Sequence, residues 1–211
     1  MDELSWSNID SLIALRGIIN MTKAEVLASF EKTGGMLRGH FILTSGRHSD
    51  TYMQCAKLFV DTAESEKICA ALAAKLAGYK AAAVVSPAVG GILMGYEVAR
   101  QLKVSNYFAE RENGAFALRR GFEIEKGTKV VVVEDVVTTG GSAKEVVMLL
   151  KSMGVEVVCV ASIVDRSGGK ADFGVPYESL IQLDIATHDP NDCSICRTGI
   201  PAIKPGSRGL K

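Results

Sequence analysis

The chain has 211 residues, 47% of them hydrophobic, which suits one sizeable core with a small appendage. Lys plus Arg and Asp plus Glu both number 24, so the bulk positive charge that would recommend a nucleic-acid partner is excluded. No apolar run approaches the ~20 residues of a membrane span, and the acidic start MDELSWSNID is unlike a secretory signal, so a cytoplasmic chain without a membrane partner is expected.

Two helices are predicted first. Ile9, Leu12, Ile13 and Leu15 share one face of IDSLIALRGII, and Thr22 with Glu25 forms a capping box for KAEVLASFEK, which Gly34 and Gly35 stop. GHFILTSGRHSDTYMQCAKLF alternates poorly around a Ser-Gly-Arg turn and reads as a short irregular strand pair. Asp61 with Glu64 caps the next helix, TAESEKICAALAAKLAG. From there strands and helices alternate: AAAVVSP as a buried strand, AVGG as its exit turn, ILMGYEVARQL as a helix, NYFAE as a strand. After a polar segment come TKVVVVED, a second helix and EVVCVASIVDR. That alternation predicts a mainly parallel sheet with helices on both faces.

VVVVEDVVTTGGSAKE, from Val130 to Glu145, is the most informative stretch. Four valines read as a strand buried on both faces, and two acids, Glu134 and Asp135, stand at its end. Val146, Val147, Leu149, Leu150 and Met153 then follow at helical spacing, so the segment is strand, tight turn, helix. The turn lies at the carboxyl end of the strand, where backbone N–H groups open the helix and favour an anion. Thr138, Thr139 and Ser142 add hydroxyl donors, while Gly140 and Gly141 let a ligand approach the backbone closely. This is a phosphate cradle. The carboxylates would repel a phosphate, so they are expected to address something neutral or cationic beside it, such as a ribose diol. SPAVGG at 86–91 and DRSGG at 165–169 are further strand ends, and one polyanionic ligand could span the first loop and the cradle.

VVVVEDVVTTGGS resembles the 5-phosphoribosyl 1-diphosphate (PRPP) binding motif of type I phosphoribosyltransferases. FILTSGRHSDTYMQ, SPAVGGI, FAERENGAFALRRGFEI and IVDRSGG are similar, in the same order, to segments of the orotate phosphoribosyltransferase family. The resemblance implies an α/β chain of the type I phosphoribosyltransferase fold, with a mainly parallel sheet flanked by helices and a small N-terminal hood. Residues 1–60 would carry the N-terminal helices and the base-binding hood, 61–188 the PRPP-binding core, and 189–211 a tail. It implies conversion of orotate and PRPP to orotidine 5-monophosphate and diphosphate, a step of UMP biosynthesis. Glu134 and Asp135 would hold the ribose hydroxyls, and Val136, Val137 and Thr138 through Ser142 would bind the 5-phosphate. Ala88, Val89 and Gly90 would hold diphosphate through backbone groups. Arg166 would read the orotate carboxylate, with Thr138, Tyr52 and Met53 at the pyrimidine. Arg111 would act in catalysis from a mobile loop over a neighbouring subunit's site, which implies a homodimer with shared sites. Mg²⁺ would be the cofactor, held mainly through PRPP and not by a protein metal site.

The chain departs from the family pattern at Asn113, Gly114 and Ala115, where basic residues are usual, which shifts diphosphate stabilisation toward Arg111, Arg119 and Arg120. Alternatively, Arg119 and Arg120 pair with Glu123 and Glu125 on a solvated hairpin. Two other functions fit part of the pattern: a phosphoribosyltransferase for another base, and a PRPP-sensing regulator without catalysis. Of five cysteines, Cys55, Cys69 and Cys159 lie in apolar patterns and read as core. Cys193 and Cys196 form a CSIC pair near His188, but zinc sites usually take four ligands and no second pair stands at suitable spacing. The tail therefore reads as a loop with incidental thiols, and His40 and His48 as ordinary polar loop residues.

Overall fold

The structure is a computed structural model that describes residues 20–43 and 45–205. The helix expected around Ile9–Leu15 lies outside the described residues. No helix among those described is long and apolar enough to cross a membrane.

Helix α1, Lys23–Lys32, begins at the expected capping box: the Glu25 N–H donates to Thr22 Oγ1 at 3.3 Å and the Thr22 N–H to Glu25 Oε2 at 2.7 Å. Its inner face is Val26 and Phe30, both fully buried. Strands β1, Met36–Ile42, and β2, His48–Met53, pair antiparallel as a separate two-stranded sheet. Between Arg38 and Phe41 the register slips, so Gly39 and His40 together oppose one residue of β2. A 3₁₀ turn, Cys55–Val60, leads to α2, Thr62–Leu76. Asp61 caps α2 by accepting from the Ala63 and Glu64 N–H groups. Glu64 does not reach back as a capping box requires. It accepts instead from Ser29 Oγ at 2.6 Å and Lys32 Nζ at 2.7 Å, tying α2 to α1.

Six strands form the main sheet: β3 Ala83–Pro87, β4 Ser105–Glu112, β5 Ala115–Leu118, β6 Lys129–Val137, β7 Glu156–Asp165 and β8 Tyr177–Gln182. Their spatial order is β5-β4-β3-β6-β7-β8, parallel except for β5. Helix α3, Gly91–Leu102, packs on one face and α4, Gly141–Ser152, on the other. The four valines of β6 explain themselves in this frame. Val131 and Val133 join the core under α1, α2 and α3, while Val130 and Val132 join the core under α4. Alternate residues of a strand face opposite sides, so a strand covered on both faces must be apolar throughout.

Two strands were not expected. The polar segment after β4 contains β5, reached through Asn113 and Gly114, whose φ values of 50° and 89° fit a two-residue hairpin turn. The β8 strand, YESLIQ, is an edge strand with only Ile181 buried, so its pattern carries little apolar signal.

The tail from Asp189 runs over the surface as an irregular, mostly exposed segment, as expected, but it is pinned to the hairpin: Ile203 bridges Phe41, and His188, just before the tail, bridges His48, with paired backbone bonds of 2.8–2.9 Å. His40, His48 and Cys193 are buried at 2%, 8% and 2% exposure, which corrects the reading of these side chains as loop residues and an incidental thiol.

Gly95 sets how closely α3 approaches the sheet. A Cβ there would lie 2.7 Å from Ser86 Oγ and 3.1 Å from Asn106 Oδ1. Gly95→Val is expected to lower unfolding free energy by about 1–3 kcal/mol through overpacking, measured by urea denaturation.

Candidate active site at the β3–β6 switch point

After β3 the chain builds outward to β4, and after β6 outward in the opposite direction to β7. The loops leaving β3 and β6 therefore diverge from adjacent strand ends, with their helices on opposite faces, and a crevice opens between them. The sequence places SPAVGG and EDVVTTGGS at these two ends.

The loop Thr138–Ser142 leads into α4, whose N-cap residue, Gly140, supplies no side-chain hydrogen bond to the first N–H groups. Gly140 has φ +76°, and a Cβ on it would meet the Phe173 ring at 2.9 Å, so glycine is required by both conformation and space. Thr138, Thr139 and Gly141 are exposed and Ser142 is half-buried. Together with Arg111, Glu134, Val136 and Glu145 they line a pocket of about 220 Å³. That is below the ~300 Å³ at which pockets enclose drug-sized ligands, and it suits a phosphate group rather than a whole nucleotide.

Glu134 and Asp135 are neighbours on a strand and so point to opposite sides. Glu134 faces α4, within reach of the Ser142 hydroxyl and the Ala143 N–H, and lines the pocket itself. This revises the expectation that both acids would stand beside the cradle. Burial, and then the adjacent Asp135 charge, push the Glu134 carboxyl up to about 7. A carboxyl that can hold a proton near neutrality tolerates a phosphate that a fixed charge would repel. Asp135 faces the other way. Its Oδ1 accepts from the Val136 N–H at 2.9 Å, and its Oδ2 lies 3.4 Å from the position of a Cβ on Gly90, so the two loops touch here. Burial raises its pKa as well.

The third strand end joins them. The Arg166 N–H donates to the Val137 carbonyl at 2.7 Å, holding the exit of β7 against that of β6. Arg166 Nε is buried and has no hydrogen-bond partner among the described residues, and burial holds the guanidinium below its ordinary pKa. A half-buried guanidinium with a buried, unused donor is a costly arrangement that a bound carboxylate would relieve.

The loop Ala88–Gly90 is open: Val89 is 82% exposed, Gly90 is exposed, and the Ala88 N–H is anchored on the Ala109 carbonyl. On the hairpin, Tyr52 and Met53 are half-buried, with Tyr52 against Phe41 and Met53 against the main core. Arg111 stands just before a tight turn, not an open loop, and lines the same pocket as Thr138–Ser142. It pairs with both carboxylate oxygens of Glu145, at 2.9 and 3.0 Å, and stacks 4.3 Å over Phe116. Arg119 pairs with Glu112 and Arg120 with Glu110, so the expected partners Glu123 and Glu125 are replaced by acids across the hairpin. Glu145 and Phe173 escape sequence reasoning because one is an exposed helix acid and the other an aromatic distant in sequence from Gly140.

A family model described as the phosphoribosyl transferase domain matches residues 57–179. An orotate phosphoribosyltransferase of Thermotoga maritima is 59% identical over 181 residues, covering 86% of this chain and 97% of that protein. One of Caldanaerobacter subterraneus is 56% identical over 190 residues, covering 90% of this chain and 100% of that protein. Among solved structures, orotate phosphoribosyltransferase from Aeropyrum pernix matches with a TM-score of 0.63 at 26% identity, over 74% of this chain and 92% of that one. The Mycobacterium tuberculosis protein, in complex with inorganic phosphate, matches with a TM-score of 0.61 at 26% identity, over 76% and 95%. By its sequence relatives, its sheet order and the phosphate loop at its switch point, the chain belongs to the orotate phosphoribosyltransferase family.

Proposed function

We propose that this chain transfers the 5-phosphoribosyl group of PRPP to orotate, releasing diphosphate, with each part of the switch-point crevice holding one part of the substrates. The observation that carries the base assignment is Arg166, whose buried Nε lacks a partner beside the phosphate loop. A carboxylate-bearing base supplies that partner; a purine does not. This favours orotate over another base.

In this reading the N–H and hydroxyl groups of Thr138–Ser142 hold the 5-phosphate, and Asp135 and Glu134 accept hydrogen bonds from the ribose diol. The exposed backbone of Ala88, Val89 and Gly90 receives the diphosphate. Displacement at the anomeric carbon builds positive charge on the ring, which Asp135, and Glu134 once it has released its proton, stabilise, and negative charge on the leaving group, which Arg111 meets after exchanging its Glu145 partner. No covalent nucleophile is needed. The site offers oxygen donors, Glu134 and Asp135, with open space for phosphate oxygens, a set that fits Mg²⁺. When bound, Mg²⁺ would neutralise charge on the diphosphate.

A homodimer is supported by exposed apolar side chains that flank the crevice on one surface: Val89 at 82%, Leu93 at 57% and Tyr96 at 60%. Five unpaired cysteines accord with a reducing, cytoplasmic setting.

Orotate absorbance should fall only when orotate, PRPP and Mg²⁺ are all present, and adenine, hypoxanthine and uracil should not replace orotate; PRPP binding without turnover of any base would instead support a sensor. Arg166→Ala is expected to raise KM for orotate about 30-fold, the ~2 kcal/mol of a lost charge-assisted pair, with PRPP affinity unchanged. The Glu134 carboxyl generates a pH prediction. Its folded pKa of about 7 lies above the ordinary value of 4.5, so the ligand-free folded protein holds a proton that the unfolded chain releases. That contribution to stability is complete below pH 4.5 and is lost as pH rises through 7. Glu134→Gln should therefore remove part of the decline in urea midpoint between pH 5 and pH 8, and identical slopes in both proteins would refute the assignment.

A further inference from the structure

Away from the crevice, four metal-ligating side chains meet under the hood. His40 and His48 come from β1 and β2; Cys193 and Cys196 come from the tail. One ligand atom from each lies within 4.8 Å of all the others. We propose that these four residues form a structural zinc site that fastens the tail to the hairpin.

The distances carry the proposal. His40 Nε2 lies 2.9 Å from His48 Nδ1, 3.6 Å from Cys193 Sγ and 3.7 Å from Cys196 Sγ, and Cys196 Sγ lies 3.3 Å from His48 Nδ1. Zinc bound tetrahedrally by two imidazoles and two thiolates, at its usual bond lengths, gives ligand–ligand edges of roughly 3.3–3.8 Å. Of the six edges of such a tetrahedron, three of the four given above already fall in that range, the fourth needs the imidazoles to part by about 0.4 Å, and the two from Cys193 Sγ to Cys196 Sγ and His48 Nδ1 lie within 4.8 Å, so Cys193 closes the site by moving inward.

The outer contacts agree. His40 Nδ1 lies 2.7 Å from the Ile200 carbonyl, which can only accept, so the proton sits on Nδ1 and the Nε2 lone pair points into the cluster. An imidazole bonded to a backbone carbonyl through its other nitrogen is the usual support of a metal-ligating histidine. The slip in register between Arg38 and Phe41 sits at His40, and bulges commonly re-aim a side chain. The backbone bridges at His188 and Ile203 bring Cys-x₂-Cys up to the hairpin from about 150 residues away. Two thiolates would cancel the charge of the ion, so a neutral site could remain among groups of which three are buried. With four protein ligands the ion has no open position for substrate, which makes the role structural. Sulfur and imidazole donors also separate this site from the oxygen-lined crevice, which suits magnesium.

The test uses the untagged full chain purified without chelator, with metal content measured by mass spectrometry and Co²⁺ substitution followed by absorption. About one zinc per chain and a tetrahedral cobalt–thiolate spectrum are expected. Cys196→Ser, a near-isosteric change at the exposed ligand, should lower zinc affinity by at least the roughly tenfold that a lost outer partner costs. The double change Cys193→Ser with Cys196→Ser should abolish the cobalt–thiolate bands. Three outcomes would overturn the proposal: equal zinc in the wild-type and double-variant proteins; no tetrahedral cobalt spectrum in the wild type, which needs no variant to fold; or a Cys193–Cys196 disulfide in the freshly purified protein, found by alkylation and peptide mapping. None of these readouts depends on orotate turnover.

Discussion

Pairing of β3 with β6 at the centre of the sheet is the constraint on which the rest of the molecule depends. The register Ala83↔Val130 through Val85↔Val132 buries both strands on both faces and sets the end of β3 at Pro87 level with Glu134, three residues before β6 ends. Because α3 and α4 cover opposite faces, the two exit loops must part. The substrate crevice is the gap that this parting leaves. Gly90 and Gly140 keep it free of side chains where the loops meet Asp135 and Phe173.

Electrostatics at this gap is a balance between burial and charge. Glu134 and Asp135 are both held above ordinary carboxylate pKa values, mainly because the apolar strand that carries them leaves them little water. Arg166 is moved in the opposite direction by the same cause. The ligand-free site thus holds its ionisable groups away from their ordinary pKa values, and in the proposed reading the diol, carboxylate and phosphates of the substrates supply the missing partners. Arg111 differs: half-exposed and already paired with Glu145, it holds a modest surface ion pair.

The catalytic half of this design is legible in the sequence because local rules govern it. Four consecutive valines, β-branched and running on to a glycine turn, read as a strand covered on both sides, and TTGGS before a helical pattern reads as a tight, hydroxyl-rich turn. Opposite-facing Glu134 and Asp135 follow from the same period of two, but the consequence for the phosphate pocket emerges only once α4 is placed beside Glu134. What was not legible is long-range. The β8 strand hides because an edge strand buries little, and β5 hides behind polar residues that pair across a hairpin. His40 and His48 look like loop residues because their partners, Cys193 and Cys196, lie about 150 residues away; no periodicity or spacing within either segment reports the other.

The backbone bridges of the tail also fix the mechanics of the hood. The Ser49 hydroxyl donates to the Ala186 carbonyl, Arg47 donates to Thr187, and His188 and Ile203 pair with the two strands of the hairpin. On the core side, the last anchor before the tail is the Leu183 N–H on the Asp165 carbonyl. Between these anchors Asp184 and Ile185 cross from one body to the other, Gln54 makes the corresponding crossing after β2, and Thr33–Gly35 makes a third between α1 and β1. Hairpin and tail are therefore laced to each other along both strands and joined to the core by three short crossings, so a tilt of Tyr52 toward or away from the crevice would draw the tail with it.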